Sequence, residues 1–149
     1  MLGEEFLVDT NILVRSNVQS PLVTEEAYRA VSVLRNSSSP LYATLQSFSE
    51  FWNVSTRPVA NNGYAFTPSW ASAQLEVLEQ TFIFLPHDQI MYAHWRGLVS
   101  RYDIRGKQVH DAKLVASMLA YDIPNLLTYN VSDFKRFSEI TAVHPENIR

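Results

Sequence analysis

Four carboxylates in this chain fall where an apolar run ends, or on a helix beside such an end: Asp9, Glu50, Asp111 and Asp133. Asp9 closes the run Phe6-Leu7-Val8 and is followed by Thr10-Asn11. Glu50 lies in Ser47-Phe48-Ser49-Glu50-Phe51-Trp52, and Asp111 opens the segment Asp111-Ala112-Lys113-Leu114-Val115-Ala116. Asn130 and Asp133 follow Leu126-Leu127-Thr128. In an open α/β sheet, ligand sites gather outside the carboxyl ends of the strands. Carboxylates brought together there repel one another unless a divalent cation neutralises them. Acids at several strand-to-helix junctions therefore point to metal-assisted hydrolysis.

Each acid also has a plainer role. Asp9 could cap the turn that follows it. Asp111 and Asp133 could be first-turn acids that favour a helix N-terminus, and Glu50 a solvated helix residue. Context favours the chemical reading for Asp9 and Asp111. One follows an apolar strand without a break, and the other begins the most apolar helix of the chain.

The elements that must position these acids alternate along the sequence. Phe6 to Asp9 reads as a buried strand, with a helical turn from Asn11 to Arg15. Thr24 is an N-cap with Glu25 and Glu26 in the first turn, opening a helix to about Asn36. Leu41 to Thr44 is a second strand, and a helix from about Gln46 to Arg57 stops at Pro58. Thr67-Pro68 opens a helix to about Gln80. Phe82 to Leu85 is a third strand, and Asp88 caps a helix to about Tyr102. Ile104 to Gln108 is a loop, and Val109 to Tyr121 a helix. Leu126 to Tyr129 is a fourth strand, Ser132 can cap a turn from Asp133 to Phe137, and Ile140 to Val143 is a last strand. Strands alternating with helices predict a three-layer α/β/α sandwich around a mostly parallel sheet. No internal boundary interrupts residues 1–149, so one domain is expected.

Composition narrows the chemistry. At 149 residues and 46% hydrophobic, the chain can bury a sizeable core. There is no cysteine, which excludes disulfides, thiolate zinc sites and cysteine nucleophiles. His87, His94, His110 and His144 show no paired metal-ligand spacing. His110 adjoins Asp111, but helix neighbours point in different directions, so it is expected to be a polar residue of the helix start. No apolar run reaches the length of a membrane span, and the N-terminus lacks signal-peptide character, so a cytoplasmic protein is expected. The net charge of −3 argues against a coat for nucleic acid, not against a nuclease. Arg101, Arg105, Lys107 and Lys113, close in sequence to Asp111, form a candidate phosphate track.

The segments Leu7-Val8-Asp9-Thr10-Asn11-Ile12-Leu13, Ser49-Glu50, Val109-His110-Asp111-Ala112 and Leu127-Thr128-Tyr129-Asn130-Val131-Ser132-Asp133-Phe134 resemble the successive motifs of PIN-domain nucleases. The group most similar is the VapC-type toxins of toxin–antitoxin pairs. The resemblance runs from Phe6 to Phe137, in the family's order and spacing. It implies a PIN-like α/β/α fold and a Mg²⁺- or Mn²⁺-dependent endoribonuclease. It places Asp9, Glu50 and Asp111 at the family's three most regular acidic positions. Many members carry Asp where this chain has Asn130; others carry Asn there with an acid three residues later, as Asp133 stands here. Thr10, Asn11, Thr128 and Asn130 are then supporting residues.

On that reading Asp9 and Asp111 are the core metal ligands. Glu50 either binds metal or holds and deprotonates the attacking water. Asp133 is an outer ligand, or a group that orients one. The partners implied are an RNA substrate, a cognate antitoxin seated near the helices Thr24–Asn36 and Gln46–Arg57, and a second copy in a homodimer. The apolar residues Trp70, Leu75, Leu78, Tyr92 and Trp95 would serve either core or interface. Two other readings compete. One is a PIN-like RNA- or protein-binding module with weak or no catalysis. The other is a phosphatase or dehalogenase with Asp9 as nucleophile, which those families usually support with a second Asp where this chain has Asn11.

Overall fold

The computed structural model describes residues 3–149. Among them, five strands are β1 (Phe6–Val8), β2 (Leu41–Thr44), β3 (Ile83–Leu85), β4 (Asn125–Leu127) and β5 (Thr141–Val143). The helices are α1 (Thr10–Arg15), α2 (Glu25–Asn36), α3 (Leu45–Thr56), α4 (Pro68–Thr81), α5 (Gln89–Arg101), α6 (Gln108–Ala120) and α7 (Val131–Phe134). The strands form one sheet in the order β3-β2-β1-β4-β5, and every neighbouring pair is parallel. The expected three-layer α/β/α architecture is present, with a sheet that is wholly parallel.

Successive side chains of a strand face opposite ways, and here both directions are apolar, as a sheet covered on both faces requires. Phe6 and Val8, with Leu41, Ala43 and Leu127, pack with Ile12, Val31, Phe51 and Leu78 of α1 to α4. Leu7 and Leu126 pack on the other face with Leu98 of α5, Val115 of α6 and the pair Phe134 and Phe137. Burying an aliphatic side chain of this kind contributes about 1.5–3 kcal/mol, so this two-sided pattern fixes the register of each short strand.

Helix starts follow local capping chemistry. The hydroxyls of Thr24, Thr44 and Thr67 accept from the backbone N–H of Ala27, Ser47 and Trp70 at 3.4, 3.1 and 3.1 Å. Asp88 accepts from Ile90 at 3.1 Å. Thr44, read from sequence only as the end of a strand, is also the cap of α3. Of the apolar residues left open between core and interface, Leu78 is buried, Trp70, Leu75 and Trp95 pack against the two cores, and Tyr92 is exposed.

Two expectations are corrected. β4 ends at Leu127 rather than Tyr129, because the Thr128 side chain turns into local hydrogen bonds described below. Ser132 does not cap the last turn. It lies inside α7, whose N-cap position is Asn130, with no side-chain capping bond.

The connection from β1 leads outward to β2 and then β3, whereas β4 leads to β5 on the other side. The strand order therefore reverses between β1 and β4, and a crevice opens beyond their carboxyl ends. Among the described residues, no helix is long and apolar enough to cross a membrane.

Candidate active site

Asp9 stands at this reversal, directly after β1. One carboxylate oxygen accepts from the backbone N–H of Thr10 at 2.8 Å, so Asp9 does cap α1. The other accepts from the hydroxyl of Thr128 at 2.8 Å and faces the amide of Asn11 at 3.5 Å. Thr128 is wholly buried. Its oxygen also receives the backbone N–H of Asn130 at 3.0 Å and the Asn11 amide at 3.5 Å. A hydroxyl has one proton and two acceptor sites. With both acceptor sites taken by nitrogen donors, the proton goes to Asp9. Asn11 closes the loop by accepting from the backbone N–H of Tyr129 at 3.3 Å. The sequence Asp9-Thr10-Asn11 thus ties β1 to the end of β4.

Asp111 comes from the first turn of α6. That turn is held from two sides: Gln46 donates to the carbonyl of His110 at 3.2 Å, and the Trp95 indole donates to the carbonyl of Val109 at 3.1 Å. Burial and the neighbouring Asp9 and Asp133 push Asp111 up to about 6, against the smaller opposing effects of Arg136 and His110. Burial also raises Asp9, partly offset by its bonds from Thr128 and Thr10, and Asp133 adds to the rise. Asp9, Asp111 and Asp133 therefore form one electrostatic group.

Glu50 lines the same cleft but answers to another neighbour. Its carboxylate is 3.8 Å from the guanidinium of Arg57, seven residues on, and is half exposed. Asn130 also lines the cleft and is exposed. Among the described residues, no three acidic or histidine side chains converge as a ready-made metal cage. The donors present nonetheless suit a hard cation. Two carboxylates with raised pKa values in one cleft are what a divalent ion relieves, and Mg²⁺ commonly takes one or two carboxylates and completes its shell with water. Asp9 and Asp111 would hold it.

The cleft has a volume of about 1050 Å³. Part of its wall is apolar, with Leu45, Val54, Tyr64, Met91 and Tyr92. Of the predicted basic track, Lys113 lines the cleft. Arg101 pairs with Glu139 at 2.7 Å and Arg105 with Asp103 at 2.9 Å, while Lys107 is exposed just before α6. Three cations outside that track also bear on the site: Arg15 lines the cleft, Arg57 pairs with Glu50, and Arg136 lowers the proton affinity of Asp111. Arg57 could have been found by helical spacing, since it follows Glu50 by seven residues, about two turns.

No family model and no curated protein matches the chain. Solved structures do. A chain of the VapBC2 complex of Rickettsia felis, bound to a DNA fragment from their promoter, matches with TM-score 0.69 and 14% identity over 94% of this chain and 98% of that one. A chain of DNA-bound VapBC from Salmonella typhimurium matches with TM-score 0.68 and 17% identity over 96% and 99%. A toxin–antitoxin complex from Klebsiella pneumoniae gives TM-score 0.62 and 20% identity over 93% and 96%. At such identities the likeness is one of fold, and over nearly its whole length this chain has the fold found in these toxin–antitoxin complexes.

Proposed function

We propose that this chain is a divalent-metal-dependent endoribonuclease and the toxin of a toxin–antitoxin pair. The observation that carries the reading is the pair Asp9 and Asp111, lining one cleft where the strand order reverses, each with its proton affinity raised by burial and by neighbouring acids. The motif resemblance and the shared fold support it. Asp9 and Asp111 hold Mg²⁺ or Mn²⁺, which when bound neutralises the acids and supplies Lewis acidity at the scissile phosphate. Thr128 and Thr10 fix the orientation of the Asp9 carboxylate through the bonds described above. Asp133 adds negative potential beside the ion. Glu50, half exposed at the cleft wall, accepts the proton of the attacking water.

The apolar wall suits an antitoxin segment. Leu45 and Tyr92 are 59% and 55% exposed although they adjoin a polar site, and a helix or strap of the partner laid there would shield them and block the acids. A homodimer is the assembly we propose for the toxin itself.

Purified protein should cut total cellular RNA into discrete fragments with Mg²⁺ or Mn²⁺. It should not do so with EDTA, nor as the folded Asp9→Asn variant. Cleavage that survives Asp9→Asn sinks the assignment. Two observations favour the second reading, a binding module without catalysis: Asn130 is neutral, and Glu50 is drawn to Arg57 rather than to the acids. That module would bind RNA equally well in EDTA and cut nothing. Co-expression with the product of the adjacent reading frame should yield an inactive complex, and recovery of free, active nuclease would count against the toxin assignment.

A further inference from the structure

Arg15 ends α1, the helix that begins directly after Asp9. At 1.5 Å per residue its α-carbon lies about 9 Å along the chain axis from Asp9. Its side chain lines the same cleft as Asp9, Asp111 and Asn130. The guanidinium lies over the ring of Tyr129, 5.6 Å from its centre. Among the described residues, no carboxylate lies within 4.0 Å of it. Glu26, the acid nearest in role, is engaged elsewhere: it accepts from the Tyr129 hydroxyl at 3.1 Å.

The platform under Arg15 is fixed. The Tyr129 hydroxyl is 2.5 Å from that of Thr24, its ring meets His144 edge-on at 5.0 Å, and its backbone N–H is held by Asn11. The backbone of Arg15 is fixed too, its carbonyl accepting from Thr24 at 2.9 Å. A plain structural arginine in a negatively charged cleft would be expected to pair with one of the acids. This one lies over an aromatic ring, and among the described residues it pairs with no acid. Guanidinium groups presented in this way suit phosphate, which takes two parallel N–H bonds.

We propose that Arg15 is a phosphate-binding residue, anchoring the backbone of a single-stranded RNA at a phosphate beside the one cut at Asp9. The proposal rests on the ribonuclease reading above. In it, Arg15 sets where along the strand the cut falls, while the acids perform it.

The test measures binding rather than cleavage, using the Asp9→Asn protein and a short labelled single-stranded RNA over a range of salt concentrations. Adding Arg15→Gln should weaken binding about tenfold. It should also flatten the slope of log K against log salt by about 0.7, the value of one phosphate contact on a single strand. Arg15→Lys should keep the slope and lose a few-fold in affinity, because the charge stays and the fork is lost. Arg35→Gln, the same charge change at the exposed end of α2, should alter neither. If Arg15→Gln does not fold, Arg15→Met keeps an unbranched stem on the Tyr129 ring and takes its place. Salt-dependent binding that is identical with and without Arg15→Gln overturns the role of Arg15 and leaves the ribonuclease reading standing. No RNA binding by the Asp9→Asn protein overturns both.

Discussion

The hydroxyl of Thr128 donates to the carboxylate of Asp9 at 2.8 Å, joining the ends of β1 and β4 across 119 positions of sequence. The bond has two effects. It stabilises the ionised form of a carboxylate that burial pushes toward protonation. It also ends β4, because the same hydroxyl accepts from Asn130 two residues on. Thr128→Val keeps the shape and removes both effects. It leaves the Asn130 N–H without its protein partner, at a cost of about 0.5–1.5 kcal/mol for the lost bond. Thermal unfolding should show that loss, and titration calorimetry should show weaker Mn²⁺ binding. Unchanged Mn²⁺ affinity in a destabilised Thr128→Val protein would separate structure from site and refute the ligand-orienting role.

The acid group makes stability depend on pH with an unusual sign. Asp111 sits at about 6 when folded, above an ordinary carboxyl near 4. Between these values the folded chain holds a proton that the unfolded chain releases. Stability from this group is therefore fully present below about pH 4 and lost as pH rises through about 6. Asp111→Asn mimics the protonated form. In metal-free buffer its stability advantage over the parent should vanish near pH 4 and grow toward pH 7. Discounted for the water that reaches a partly exposed Asp111, the gain at pH 7 is on the order of 1 kcal/mol. Saturating Mg²⁺ should reverse the ranking, since the ion stabilises only the parent. A pH-independent difference between the two proteins would contradict the origin of the shift.

Periodicity made the fold legible. The strand Leu41–Thr44 and the caps Thr24, Thr67 and Asp88 stand where local chemistry places them, because each depends on residues within a turn of itself. Asp9 and Asp111 were legible as strand-end and helix-start acids for the same reason. The end of β4 was not, since a threonine in an apolar run reads as strand unless its hydroxyl takes up the N–H of Asn130, as it does here while donating to the distant Asp9. Nor was the partner of Arg101: its ion pair with Glu139 spans 38 residues, and charge alone does not say which acid a cation meets. A basic run in sequence therefore reads as a phosphate track, although of its four cations only Lys113 lines the cleft.

Glu50 and Arg57 give a direct measure of how far the Glu50 carboxylate belongs to the metal site. A partly exposed pair at 3.8 Å is weak, typically worth less than about 1 kcal/mol, so it orients Glu50 rather than locks it. The Arg57 side chain is well seated: it donates to the carbonyl of Asn62 at 3.2 Å, and Gly63 packs so closely on it that an added Cβ would lie 2.2 Å from its Cγ. If Glu50 acts on water rather than as a ligand, Glu50→Gln should lower RNA cleavage by about 10²–10⁴-fold and change Mn²⁺ affinity less than about threefold. A large loss of Mn²⁺ affinity in Glu50→Gln would make it a ligand instead.

Asn130 is where this chain departs from the acidic pattern, and it occupies the N-cap position of α7, lining the cleft with Asp9 and Asp111. Its amide can offer a neutral oxygen but no charge. Asn130→Asp places a further carboxylate beside a group that already repels itself. Without metal, the added charge should push Asp111 further above about 6 and lower the melting temperature at pH 7. An aspartate at a helix N-cap is otherwise neutral or favourable, so a fall in stability has no local cause and reports the repulsion. With Mn²⁺, the same charge is an added ligand or counter-charge, and affinity should rise by tenfold or more, consistent with about 1.4 kcal/mol of added attraction. Calorimetry with Mn²⁺ at pH 7, beside unfolding in EDTA, reads both changes. Opposite signs in the two experiments identify Asn130 as the neutral member of the metal site. A variant that is destabilised without metal and binds Mn²⁺ no better would place Asn130 outside it.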